Sequence, residues 1–91
     1  MLTLQINRRW FDIIRSGVKT EEYRAIKPFN DSRLSHPHDQ VLFINGYRKD
    51  APRLMMELKG VRKGYPCQEW CSEEMLGKEC WVLELGEVIS K

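Results

Sequence analysis

Five short runs with strand character are crowded into 91 residues, and this crowding constrains the fold more than any other feature of the sequence. Leu2-Thr3-Leu4-Gln5-Ile6 alternates apolar and polar residues with period two, the mark of a half-buried strand. The same period returns from Lys19 to Ile26, until Pro28 ends it. Val41 to Ile44 is a continuous apolar run bounded by Asn45-Gly46, which predicts a central strand buried on both faces with a turn after it. Arg53 to Arg62 and Cys80 to Ile89 complete the set, and Gly60 marks a bulge or a barrel corner. So many strands in so short a chain favour a sheet that curls on itself, because closure removes exposed edges. The expected fold is mainly β within the α+β class: a small β-barrel of about five to six strands with one or two short helices.

Helical signals are few. Trp10, Phe11, Ile13 and Ile14 recur at helical spacing and Ser16-Gly17 supplies a C-terminal cap, so residues 8–16 read as a two-turn helix. From Pro28 to Gln40 the residues Pro28, Asn30, Asp31, Ser32, Ser35 and Pro37 predict a loop with at most one helical turn. Between residues 65 and 77, Pro66 and Trp70 precede Ser72-Glu73-Glu74-Met75-Leu76, a candidate short helix ending at Gly77.

A chain of this length, 42% hydrophobic and 31% charged, supports one compact core, so residues 1–91 are expected to form a single domain. No apolar run approaches the roughly 18 residues of a membrane span, and the first apolar stretch is too short for a secretory leader. The three cysteines, Cys67, Cys71 and Cys80, are odd in number and suggest no disulfide framework. Together these features predict a cytoplasmic protein with free thiols and no membrane partner. Cys67 and Cys71 with His36 and His38 could in principle hold zinc, but the spacing matches no common structural-zinc pattern, and no metal or cofactor is expected. Charge is unevenly spread: residues 8–63 carry thirteen Lys and Arg against seven Asp and Glu, and residues 64–91 two against six. The basic stretch suits an anionic partner and equally suits an ordinary solvated surface.

The segment Gly17-Val18-Lys19-Thr20-Glu21-Glu22-Tyr23-Arg24 fits the pattern G-x-K-x-x-E-x-R and directly follows a short amphipathic helix that begins with an aromatic residue. With the order of elements over nearly the whole chain, this resembles an ASCH domain of the PUA-like superfamily. The resemblance implies a PUA-like barrel with a cleft beside the helix, lined by the motif's charged residues, and a role in RNA metabolism. Activities in that family are diverse. Some members are similar to transcription coactivator modules, some are described as ribonucleases, and a small bacterial branch hydrolyses the amide of N4-acetylcytidine with a Lys, a Thr and a Glu. Lys19 matches that lysine, whereas Glu22 stands where that branch has its Thr.

Glu22 and Arg24 are two apart in a strand, so their side chains leave the same face, with Tyr23 packing on the other. Lys19 has the opposite parity to Glu22, yet it sits just past the glycine cap and has a long stem that can reach a cleft. A carboxylate accepts from exocyclic amino or sugar hydroxyl groups, and Arg and Lys take phosphate oxygens. Lys19, Glu22 and Arg24 are therefore the expected contacts for RNA or a nucleoside-like small molecule, with Trp10 as core or cleft wall. The same letters also make an ordinary intrastrand ion pair beside an exposed lysine.

Residues 45–53 place Tyr47 among Arg48, Lys49 and Arg53, which suits an RNA-contacting rim and equally a plain hairpin turn. Arg33, Lys27 and Lys59 are weaker candidates for the same rim. Catalysis would fall to Lys19 and Glu22. Lys19 can serve as a base only if burial lowers its pKa, while a close Glu22 favours the charged form. Glu73 or Glu74 would have to supply a second carboxylate from an exposed turn. Three readings follow: an RNA- or nucleoside-binding module first, a small amidohydrolase or ribonuclease second, and a protein-interaction module third.

Overall fold

The computed structural model describes residues 2–90; Met1 and Lys91, the ends of the expected domain, lie outside the described residues. The protein is a small α+β molecule whose five-stranded sheet curls into a half-barrel and carries two helices. In chain order the elements are β1 (Leu2–Gln5), α1 (Arg8–Arg15), β2 (Glu21–Arg24), α2 (Pro28–Leu34), β3 (Gln40–Ile44), β4 (Arg53–Gly64) and β5 (Cys80–Ser90). The sheet order is β1-β3-β4-β5-β2, with β1 parallel to β3 and every other pair antiparallel. Its two edges, β1 and β2, are thus the strands that α1 joins.

Helix α1 forms because both of its ends are chemically marked. The Asn7 side chain caps the start by accepting from the Trp10 N–H at 3.0 Å. At the other end Gly17 takes φ 87° and donates its N–H to the Ile14 carbonyl at 3.0 Å, as the expected glycine cap requires. Between the caps, Phe11 and Ile14 are buried against Leu2, Leu4, Val41, Leu54 and Leu83 in the main apolar cluster. Burying each such side chain contributes about 1.5–3 kcal/mol, enough to pin a helix of eight residues that has little intrinsic stability.

The long β4–β5 ribbon supplies the curl. Its register slips between Met55 and Gly60, so the bulge expected at Gly60 lies in a run of irregular pairing. A Cβ at Gly60 would come within 2.8 Å of Glu84 Oε1, so the Glu84 side chain lies over the glycine there.

Several boundaries depart from the sequence reading. The segment from Pro28 holds a seven-residue helix rather than a loop. Pro28 sits in its first turn, where a missing N–H costs nothing, and only Leu34 is buried, so no apolar period announces the helix. The second strand is confined to Glu21–Arg24, because Lys19 is still tied to α1 through its N–H and the Ile13 carbonyl at 3.3 Å. β3 is an inner strand but β4 is the middle one, and within β3 Val41 and Phe43 are buried while Leu42 is half-buried. Residues 65–77 form two 3-10 turns, Gln68–Trp70 and Glu73–Met75, in place of one short helix.

Candidate functional site

The open seam between β1 and β2 is bridged by a side chain. Arg24, at the end of β2, donates from Nη2 to the Gln5 backbone carbonyl on β1 at 2.8 Å. The same Nη2 lies 2.9 Å from Glu22 Oε2, and Glu22 Oε1 lies 3.4 Å from Lys19 Nζ. Lysine, glutamate and arginine thus form one row, as the expected contacts required. Two of its members are buried, Lys19 at 2% exposed and Glu22 at 5%, and Arg24 is half-buried. Opposite the ordinary-surface alternative, Lys19 is no solvated lysine.

Register explains how the row reaches the seam. Glu22 pairs with Leu83 of the main core and Tyr23 with Val82 of a second cluster, so the two side chains leave opposite faces as alternation demands. Because β2 is an edge strand, the ammonium of Lys19 lies against both sides of it. It sits 4.4 Å from the Trp10 ring centre and 4.7 Å from that of Tyr23, and it donates to the Trp70 carbonyl. The 3-10 segment that carries Trp70, Cys71 and Met75 packs on Tyr23, Cys80 and Val82. It is anchored there when the Cys67 N–H donates to Tyr23 Oη at 3.1 Å, while the Tyr23 hydroxyl donates to Glu21 at 2.7 Å.

These groups surround a cavity of about 270 Å³ lined by Gln5, Asn7, Trp10, Trp70 and Glu74 as well as the charged row. Burial dominates the acid–base character of Lys19 and holds its pKa below the ordinary lysine value, although Glu22 and its hydrogen bond pull the other way. Burial likewise pushes the Tyr23 hydroxyl above its usual range, with the Glu21 carboxylate adding to the effect, so it stays a donor. Two buried side-chain atoms among the described residues have no hydrogen-bond partner, Gln5 Oε1 and Arg24 Nε, and both belong to residues lining this cavity.

Of the residues expected from sequence, Lys19, Glu22, Arg24 and Trp10 come together in the cleft. Tyr47 is 88% exposed on the β3–β4 loop and borders a neighbouring groove; Arg48 faces a third depression, and Arg53 is exposed at the start of β4. Arg33 is engaged with the Thr3 carbonyl. His36 and His38 line a groove with Gly60 and Val61, and Cys71 faces the cleft instead. Among the described residues no group of three or more His, Cys, Asp or Glu side chains gathers as a metal centre would need. All three cysteines are free thiols, and burial raises the pKa of Cys80.

Sequence reasoning missed Gln5, whose polar parity in β1 pointed outward, and the Trp70 carbonyl, a backbone group that no side-chain pattern reveals. Glu74, read as part of an exposed turn, is exposed yet lies on the cleft's rim. Among the described residues no helix is long and apolar enough to cross a membrane. No family model matches the chain, and neither a curated protein nor a solved structure does.

Proposed function

We propose that the cleft at the β1–β2 seam binds a single nucleobase, free as a nucleoside or splayed from RNA, in keeping with the role in RNA metabolism that the resemblance to ASCH domains implies. The observation that carries this reading is the pair of unpartnered buried atoms, an acceptor on Gln5 and a donor on Arg24, beside the Lys19-Glu22-Arg24 row. Leaving such atoms unsatisfied costs about 1–3 kcal/mol each, which a ligand with its own donor and acceptor edge would recover once the Gln5 and Arg24 side chains turn those atoms into the cavity. Bases offer such an edge. A cavity of about 270 Å³ is just below the usual range for drug-sized ligands and suits one base or nucleoside, not a folded nucleic acid. The Trp10 and Tyr23 rings, already holding the Lys19 ammonium, give the site apolar walls.

Calorimetric titration with the four common nucleosides and with N4-acetylcytidine tests the proposal. At least one should bind, and Arg24→Ala should abolish that binding. No heat from any of the five, or binding indifferent to Arg24→Ala, rejects it.

A hydrolase is the second reading, favoured by one feature: an amine with a lowered pKa facing a cleft with a carboxylate, Glu74, on its rim. Two of its donors already serve Trp70 and Glu22, which suits a positioning role for Lys19 as well as a base. Incubation with N4-acetylcytidine and with RNA decides between them, since Lys19→Met must remove any product formed.

A further inference from the structure

We infer that the cleft is one end of a continuous track for single-stranded polynucleotide, which runs over Tyr47 to a groove walled by three arginines. This rests on the nucleobase reading of the cleft and extends it from a free nucleoside to a polymer.

The continuity comes from shared walls. Gln5, Ile6 and Asn7 border the cleft on one side and, on the other, a groove of about 420 Å³ that is closed by Gly46 and Tyr47. Arg8 and Asn45 then border both that groove and a depression of about 290 Å³. There Arg8, Arg15 and Arg48 line the depression with Asp12, and Asp50 pairs with Arg48, so three cations stand against two carboxylates.

The side chains along this track have few other duties. Tyr47 is 88% exposed and contributes next to nothing to the core, which leaves its ring face open for a base to stack on. Arg8 is 3.6 Å from Asp12, Arg15 is 3.1 Å from the same residue, and Arg48 is 3.7 Å from Asp50. These are exposed pairs, worth little, and their guanidinium forks exchange readily for phosphate oxygens. The order along the track is therefore base pocket, stacking ring, anion groove. That sequence of chemistries is the one a strand presents when one base is turned in, its neighbour is stacked and the backbone between them carries phosphates. A free nucleoside would use the first station alone.

Fluorescence anisotropy of short labelled single-stranded RNA and DNA, compared with calorimetry of the nucleoside that the cleft takes, tests the track. Between about 50 and 200 mM salt, three phosphate contacts predict a log–log slope of about −2 for the strand, with nucleoside binding nearly flat. The triple variant Arg8→Gln, Arg15→Gln, Arg48→Gln should bring the strand's slope close to zero, and the matching Arg→Lys triple variant should keep it, which separates charge from any effect on folding. Tyr47→Ala should weaken the strand about fivefold or more. Binding of either strand type in this pattern supports the track. A strand that binds no tighter than the nucleoside, or a flat wild-type slope, overturns the track and leaves the cleft reading intact. Tight strand binding unaffected by Arg24→Ala, with no nucleoside binding, overturns the cleft reading together with the joined track.

Discussion

Replacing Glu22 by Gln removes the one carboxylate that stands between two cations in the seam. At 3.4 Å from Lys19 Nζ and 2.9 Å from Arg24 Nη2, its gross attraction to each is about 5 kcal/mol at an effective dielectric of about 20. Desolvation of the buried Lys19 and Glu22 and the half-buried Arg24 offsets most of that, so the measurable quantity is the cost of leaving a cation unpaired, about 3–5 kcal/mol. Gln keeps the shape and one acceptor, which places Glu22→Gln at the lower end, about 3 kcal/mol near neutral pH. The part of that cost that comes from Lys19 is conditional on Lys19 being charged, whereas the part from Arg24 is not. The lysine's folded pKa is held below its ordinary value by burial, so the unfolded chain binds more protons in the window between the two. Its contribution to stability is therefore fully present above the unfolded value and is lost as pH falls through the folded one. Without Glu22 that window widens downward, because the partner that raised the pKa is gone. Urea denaturation of both proteins at pH 7 and near pH 10.5 should accordingly show a destabilisation that is smaller at the higher pH, where only the lost pairing with Arg24, still charged, remains. At an m-value of about 1–3 kcal/mol/M the difference at pH 7 moves the midpoint by roughly 1 M or more. Other titrating groups, including Tyr23 with its raised pKa, are common to both proteins and cancel in the difference. An identical loss at both pH values would refute the reasoning, since Lys19 would then be indifferent to its charge.

Two further substitutions test the packing of the sheet that carries the site. Gly86→Ala places a Cβ against the Glu57 carboxylate and 3.0 Å from Glu57 Cβ across the β4–β5 bulge; the carboxylate can swing aside but the Cβ cannot, so thermal unfolding should report a loss of about 1–3 kcal/mol of which Glu57→Ala restores only the part due to the carboxylate. Trp81→Phe removes the indole N–H that donates to Asp31 at 2.7 Å, a bond to a carboxylate that ties β5 to α2, and should cost about 1.5–3 kcal/mol with faster amide exchange in α2; no change in α2 exchange would show that the helix is held by other contacts.

Strand periodicity carried most of the fold because it reports a property local to each segment: which side of a strand meets the core. The Leu2 to Gln5, Val41 to Ile44 and Cys80 to Ile89 runs are strands for that reason. Helix α2 was invisible because it buries one residue, and a single buried leucine has no period. Its Pro28, Asp31 and Ser32 looked like loop residues, yet Pro28 and Asp31 suit a first helical turn, and Asp31 also accepts from Trp81 fifty residues away. The site divides the same way. The same-face relation of Glu22 and Arg24 follows from strand parity, and the reach of Lys19 follows from its place after the Gly17 cap. The burial of that lysine depends instead on the segment near Trp70, which folds back over β2, and nothing within eight motif residues encodes a contact 51 positions away.

The seam also explains why a charged row is tolerated in so small a core. Were β1 and β2 paired, the sheet would close and every edge amide would have a backbone partner, but the cavity would be filled by the joined strands. Leaving the seam open keeps the cavity and creates two edges. Both are only four residues long, and α1 connects them, so neither offers a long template to another chain. What spans the gap is Arg24, through Gln5 on one side and Glu22 on the other, rather than a ladder of amides. A side-chain bridge leaves a donor in reserve, as the unpartnered Nε shows, where a strand ladder would spend every donor on the sheet. Substitutions at Arg24 should thus be read for binding and for sheet integrity together, since one guanidinium serves both.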